Sequence, residues 1–201
     1  MFDIRITRCV SYLCFLILVY LACQMELLVL NSDKGVETAI DSIGQMIVSK
    51  EKPIVVMLAD VGCGTESKVA MRIKSAFGAS AAFISMDDYL KEFALEGLSK
   101  IIKIDNPDYI DFDKLNADIK ELRKRHAVQK PVFDRMSGKR TGYISFEPKS
   151  IVVIEGPFAL HEKIRWSGDF HIFVDMKSEP MQTKSVLPTR NYADIVIMDW
   201  P

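Results

Sequence analysis

Apolar positions along the chain fall into three kinds of run. Val36, Ala39, Ile40, Ile43, Met46 and Ile47 recur at helical spacing, which predicts one amphipathic helix ended by Pro53. Ile54-Val55-Val56-Met57-Leu58, Ala81-Ala82-Phe83-Ile84-Ser85, Ile151-Val152-Val153-Ile154, Phe170 to Val174 and Ala193 to Ile197 are short continuous apolar stretches. Runs of that length without alternation fit strands buried on both faces of a parallel sheet. Between them, Ser67 to Phe77 and Leu115 to Arg125 read as helices, and residues 88–103 as helical in parts. Asp105 to Asp113 reads as an acidic loop. Pro131 to Phe146 reads as a hairpin-like excursion with turn residues at Ser137-Gly138 and Thr141-Gly142. Strands alternating with helices imply right-handed βαβ units, hence an α/β three-layer sandwich with a mainly parallel sheet of five strands.

The third kind of run is N-terminal. From Cys9 to Cys23 the one clearly polar residue is Ser11, with Arg5 and Arg8 before the run and Gln24 and Glu26 after it. The stretch falls short of the ~20 residues that span a bilayer comfortably. Extension through Leu27-Leu28-Val29-Leu30 would bury Glu26. Residues 1–30 are therefore set apart from a domain at 31–201. Three readings stay open for them: a signal, a membrane anchor through residues 9–30, or an extension upstream of a true start at Met25.

Charge narrows the function classes. Lys plus Arg number 26 and Asp plus Glu 27, a net charge of −1, which excludes a globally basic nucleic-acid binder and an acidic disordered tail. The basic run Lys120 to Lys130 reads as a solvated helix face, and His126, His161 and His171 lack ligand spacing. Three of the 4 Cys lie in the N-terminal apolar run, so neither a disulfide framework nor a zinc site is expected. This usage fits a reduced, cytoplasmic setting.

Candidate chemistry sits where the strands end. Asp60, Asp87-Asp88, Glu155 and Asp175 stand at or just after the carboxyl ends of four predicted strands. Ligands of open α/β sheets bind there, and carboxylates gathered at one rim suit Mg²⁺ and general-base chemistry. Any one of them alone would read as a turn or cap residue. The loop after the first predicted strand is Ala59-Asp60-Val61-Gly62-Cys63-Gly64-Thr65-Glu66-Ser67. It stands where a strand–loop–helix phosphate cradle G-x-x-x-x-G-K-[ST] would be, with Gly64 in place. Ala59 takes the first Gly position, Thr65 the Lys position and Glu66 that of the Mg²⁺-binding hydroxyl. A carboxylate about 4 Å from a phosphate charge at an effective dielectric near 20 repels it by roughly 4 kcal/mol. Glu66 could hold Mg²⁺ instead, and Lys68 lies one turn further along the helix.

From about Pro53 to the C-terminus the chain resembles the uridine kinase branch of the phosphoribulokinase/uridine kinase family. FISMDDYLKEF (83–93) is similar to a strand ending S-x-D-D-F-Y-K, and IDNPDYIDFDKL (104–115) to F-D-H-P-D-A-F-D. PVFDRMSGKR (131–140) is similar to P-x-Y-D-F-x-x-H-x-R, and IVVIEGPFAL (151–160) to V-V-I-x-E-G-I-x-A-L. FHIFVDM (170–176) resembles the next strand, and LPTRNYADIVIMDW (187–200) the closing P-x-x-x-x-A-D-I-I-I-P.

The resemblance implies a P-loop kinase fold and ATP·Mg²⁺-dependent phosphorylation of a ribonucleoside 5′-hydroxyl. It implies Asp87 as the catalytic base and Glu155 as the acidic residue near Mg²⁺. Gly62, Cys63, Gly64, Thr65, Glu66 and Ser67 would be the donor loop, and Asp105, Phe133 and Arg140 would lie around the nucleoside. Phe133 takes a Tyr position, Gly138 that of a His that reads the base, and Leu90 the Tyr of the F-Y pair. The family's Arg-rich lid has no counterpart in MKSEPMQTKSVL (176–187). Expected partners are a small-molecule nucleoside or nucleotide and no nucleic acid, with a homo-oligomer left open. Three readings compete: a kinase of reduced activity, a pseudokinase that binds ligands or scaffolds partners, and a chain whose full form carries a lid.

Overall fold

The structure, a computed structural model, describes residues 27–60, 68–92, 106–175 and 184–198. Eight strands and three α-helices lie among them: β1 (Leu28–Asn31), α1 (Ser32–Ser49), β2 (Ile54–Asp60), α2 (Lys68–Phe77), β3 (Ala81–Ser85), α3 (Phe112–Arg123), β4 (Val128–Asp134), β5 (Lys139–Phe146), β6 (Ile151–Glu155), β7 (Phe170–Asp175) and β8 (Ile195–Met198). Six of the strands form a wholly parallel sheet in the order β1-β8-β7-β2-β6-β3, and β4 and β5 form a separate antiparallel ribbon.

The continuous apolar runs are explained by the layers. Ile54, Val56 and Leu58 of β2 face one core with Val36, Ala39 and Ile43 of α1 and Val69 and Ile73 of α2. Val55, Met57 and Ala59 face a second core with Leu115, Ile119 and Leu122 of α3. Every residue of β2 from Ile54 to Ala59 is fully buried, so no position needed to be polar. Helix α1 approaches the sheet closely at Gly35, where a Cβ would stand 3.0 Å from Ile197.

The expected fold class holds, and the sheet carries a sixth strand in addition to the five expected. Strand β1 pairs in parallel with β8 at the sheet edge, from Leu28↔Ile195 to Asn31↔Met198. Leu28 and Val29 remain about 40% exposed, so they read as the tail of the preceding apolar run. The sheet thus begins inside the segment set apart as 1–30; residues 1–26 lie outside the described residues. Among the described residues no helix is long and apolar enough to cross a membrane.

Three local expectations are corrected. Helix α3 starts at Phe112, three residues before Leu115, because the Asp111 side chain accepts from the Lys114 amide and caps the first turn. Ser137-Gly138 does turn, with Gly138 left-handed at φ 67°, but Thr141-Gly142 lies within β5. Gly142 opposes Val132 beside a register shift between Val132 and Phe133, as glycines at strand irregularities do. Lys130 is not solvated: it is buried in β4 and paired with Asp88.

Candidate active site

Parallel register sets the candidate residues on one rim. Leu58 of β2 and Ser85 of β3 both pair with Glu155 of β6, so β3 and β6 end level and β2 runs two residues further. Asp87 follows two residues after Ser85, and Asp60 two after Leu58. On the other side of β2, Asp60 pairs with Val174 and Asp175 with Met198. Asp60, Asp87, Asp88, Glu155 and Asp175 therefore share the carboxyl rim.

Asp87 sits in a 3₁₀ turn, Met86–Tyr89, entered through Ser85, whose hydroxyl accepts from the Asp87 amide at 3.4 Å. Gly156 brings the end of β6 onto this turn. Its φ is +148°, and a Cβ there would stand 2.9 Å from the Met86 Cβ. Behind the turn, the Tyr89 hydroxyl donates to Asp118 Oδ2 at 2.9 Å, while Lys114 Nζ donates to both Asp118 oxygens at 2.6 and 2.7 Å. Burial pushes the Tyr89 phenol far above its ordinary pKa, and the Asp118 carboxylate adds to the rise. Tyr89 is accordingly a neutral donor.

The wall beside the Asp87 turn is completed by the ribbon. Phe133 and Arg140 are cross-strand partners in β4 and β5, and Phe133 packs against the α3-side core. Arg140 Nη2 donates to Asp111 Oδ2 at 2.8 Å, and the Asp111 amide donates to the Tyr89 carbonyl at 2.8 Å. One chain of bonds so joins the ribbon, the start of α3 and the Asp87 turn. Burial raises the Asp111 pKa, but the Arg140 guanidinium and the Lys114 amide outweigh it and hold the carboxyl below its ordinary value. Of the nucleoside-side residues expected, Phe133 and Arg140 are brought to this wall with Asp87; Asp105 lies outside the described residues.

Glu155 stands at the end of β6 with Oε2 buried. Among the described residues no three His, Cys, Asp or Glu side chains converge to hold a metal ion. Mg²⁺ bound with a nucleotide needs only one or two carboxylates besides the phosphates, and Glu155 fits one such ligand. The loop expected to carry the phosphates departs from the motif at the Lys and Ser/Thr positions. Gly62, Cys63, Gly64, Thr65, Glu66 and Ser67 lie outside the described residues, but their chemistry sets Thr and Glu where a cation and a hydroxyl are wanted.

Three cations near the rim escaped the sequence reading. Lys130 pairs with Asp88, Arg190 Nε lies 3.2 Å from Asp175, and Arg135 of the β4–β5 turn pairs with Asp87 itself. The one available signal was in PVFDRMSGKR, where Arg135 takes the place of the Phe in P-x-Y-D-F.

The parallel sheet with acidic strand ends around a central strand–loop–helix defines a kinase-type α/β sandwich of the P-loop class. The profile of the phosphoribulokinase / uridine kinase family matches residues 54–186, well over half of the chain, and the chain belongs to that family. A uridine kinase of Staphylococcus haemolyticus is 28% identical over 170 residues, which is 68% of this chain and 82% of that protein. A uridine kinase of Chlamydia pneumoniae is 29% identical over 168 residues, covering 66% and 75%. A solved structure of a possible uridine kinase from Bacillus stearothermophilus shares the fold with a TM-score of 0.56 at 16% identity, over 80% of this chain and 98% of that one.

Proposed function

We propose that this chain is a uridine kinase-like protein that keeps the acceptor half of a nucleoside phosphotransferase while its donor half is degraded, so that phosphorylation of a ribonucleoside 5′-hydroxyl is reduced or lost. The observation that carries this reading is the joined acceptor wall of the Asp87 turn, Asp111 and the Phe133–Arg140 pair. In the sequence, Thr65 and Glu66 take the places of Lys and Ser/Thr in the expected donor loop, and the 176–187 segment holds no Arg. In phosphoryl transfer such cations neutralise charge developing on the moving group, and one arginine of that kind is worth on the order of 10³–10⁵ in rate. Asp87 is the group that would take the hydroxyl proton, and buried Tyr89 and Asp118, with half-buried Lys114, position its turn.

The same features support a second reading, a pseudokinase that binds a nucleoside or nucleotide, or a partner, without turnover. Uridine kinase relatives make ATP with Mg²⁺ the expected donor, with Glu155 as a metal ligand. Titration calorimetry of the full chain with ATP·Mg²⁺ and separately with uridine tests the proposal. Saturable uridine binding with no ATP·Mg²⁺ binding at millimolar concentration is expected. Tight ATP·Mg²⁺ binding would overturn the degraded-donor reading, and absence of uridine binding would overturn the nucleoside-site reading.

A further inference from the structure

Three cations of the ribbon each meet a carboxylate on the acceptor wall, and they differ in one respect. Lys130, paired with Asp88, is 10% exposed, and Arg140, paired with Asp111, is 20% exposed. Arg135, paired through Nη2 with Asp87 Oδ2, is 59% exposed, and its partner is 38% exposed. Of the three, Arg135 alone can change partner without unpacking the wall.

The turn that carries Arg135 is itself fixed. Asp134 accepts from the Met136 amide at 3.0 Å, the Ser137 amide at 3.2 Å and the Ser137 hydroxyl at 2.6 Å. The Gly138 amide donates to the Asp134 carbonyl at 2.9 Å. The backbone therefore presents Arg135 at Asp87 while the long side chain keeps its freedom.

We propose that Arg135 makes the acceptor site select a phosphorylated ligand, a nucleoside 5′-monophosphate, over the neutral nucleoside. The proposal rests on the nucleoside-site reading above. A 5′-hydroxyl reaches Asp87 by displacing the guanidinium, and a neutral nucleoside offers the displaced cation no counter-charge. A phosphate monoester carries about −1.5 to −2 charge at neutral pH and accepts a guanidinium bidentately, through charge-assisted hydrogen bonds. The solvent-exposed pair it opens is weak. Arg135 thus turns one edge of its planar guanidinium to the phosphate and keeps the other toward Asp87, so the cation stands between the two anions and offsets their repulsion. The ligand so favoured is the product of the family's reaction, which suits a chain that holds a nucleotide in preference to making one.

The test is calorimetric titration of the full chain with uridine and with UMP. At low salt UMP should bind at least about tenfold tighter than uridine, and the advantage should shrink at about 0.5 M salt as the phosphate–guanidinium attraction is screened. Arg135→Gln should bring the two affinities within about threefold, and Arg135→Lys should restore part of the preference because charge returns without the planar fork. The thermal transition of each variant checks folding. Uridine binding with no advantage for UMP would overturn the proposal alone, as would a preference that survives Arg135→Gln. Failure of both ligands to bind would overturn the nucleoside-site reading and the proposal with it.

Discussion

The two rims of the sheet use carboxylates in opposite ways. Where the strands begin, Asp169 accepts from the Val55 amide at 2.9 Å, Lys50 at 2.7 Å and Arg123 at 2.8 Å, and its own amide donates to the Val55 carbonyl at 2.7 Å. Burial alone would raise its pKa, yet these donors hold it below the ordinary value. Where the strands end, Asp87 meets one exposed arginine, and the backbone of its turn is held by neighbours instead. One rim commits its acid to joining β2 and β7, and at the other Asp87 meets a cation that is itself largely exposed. Density of backbone and cation partners, more than acidity, separates a structural carboxylate from a candidate functional one.

That contrast breaks first at Asp169. Asp169→Ala should lower unfolding free energy by about 2–4 kcal/mol in denaturant titrations, because it strands the Val55 amide and two cations. Ligand binding at the far rim should stay within about twofold, since distant sites add independently. The contribution of Asp169 is full above about pH 4 and is lost as pH falls through its depressed folded-state value. An acid titration of the variant should therefore be flatter than that of the parent chain.

Tyr89→Phe comes next, at about 1 kcal/mol, because one buried hydrogen bond to Asp118 is lost while Lys114 still neutralises that carboxylate. If Tyr89 positions the Asp87 turn, nucleoside affinity should fall further in this variant than in one of equal stability altered at the opposite rim. Asp87→Asn should cost less than about 1 kcal/mol of stability, as an exposed ion pair does, and should abolish any residual transfer.

The smallest effect concerns His171 beside the first rim. Burial opposes its charged form, but Asp194 at 3.0 Å and the Arg165 carbonyl at 2.8 Å outweigh burial and raise its pKa. Its stabilising contribution is full below about pH 6.5 and lost as pH rises through the raised folded-state value. Stability measured from pH 6 to 9 should decline in the parent chain and stay flatter in His171→Asn.

Much of this architecture was legible because it is periodic. β2 and β6 announce themselves as unbroken apolar runs since both faces are covered, and a parallel sheet then sets their acidic ends on one rim without further information. β1 was hidden because an edge strand with two half-exposed apolar residues carries no pattern of its own. Lys130 and Arg135 were hidden for a different reason. Lys130 meets Asp88 across 42 residues of chain, and both pairings depend on where the ribbon folds back against the Asp87 turn. A window of sequence sees their charge but not their partner. Hence the strand-end acids could be read from the chain, as could Arg140, but the cations that answer Asp87 and Asp88 could not.

The measurement closest to the central claim is phosphoryl transfer to uridine and cytidine by the full chain, its Asp87→Asn variant and the double variant Thr65→Lys/Glu66→Thr. The parent chain should transfer negligibly. The double variant should regain ATP·Mg²⁺ affinity before rate, because it exchanges a negative for a positive charge worth roughly 1–4 kcal/mol each at the phosphates, while cations that act mainly in the transition state are still missing. A robust rate in the parent chain, abolished by Asp87→Asn, would contradict the account and assign the donor site to other groups of this chain.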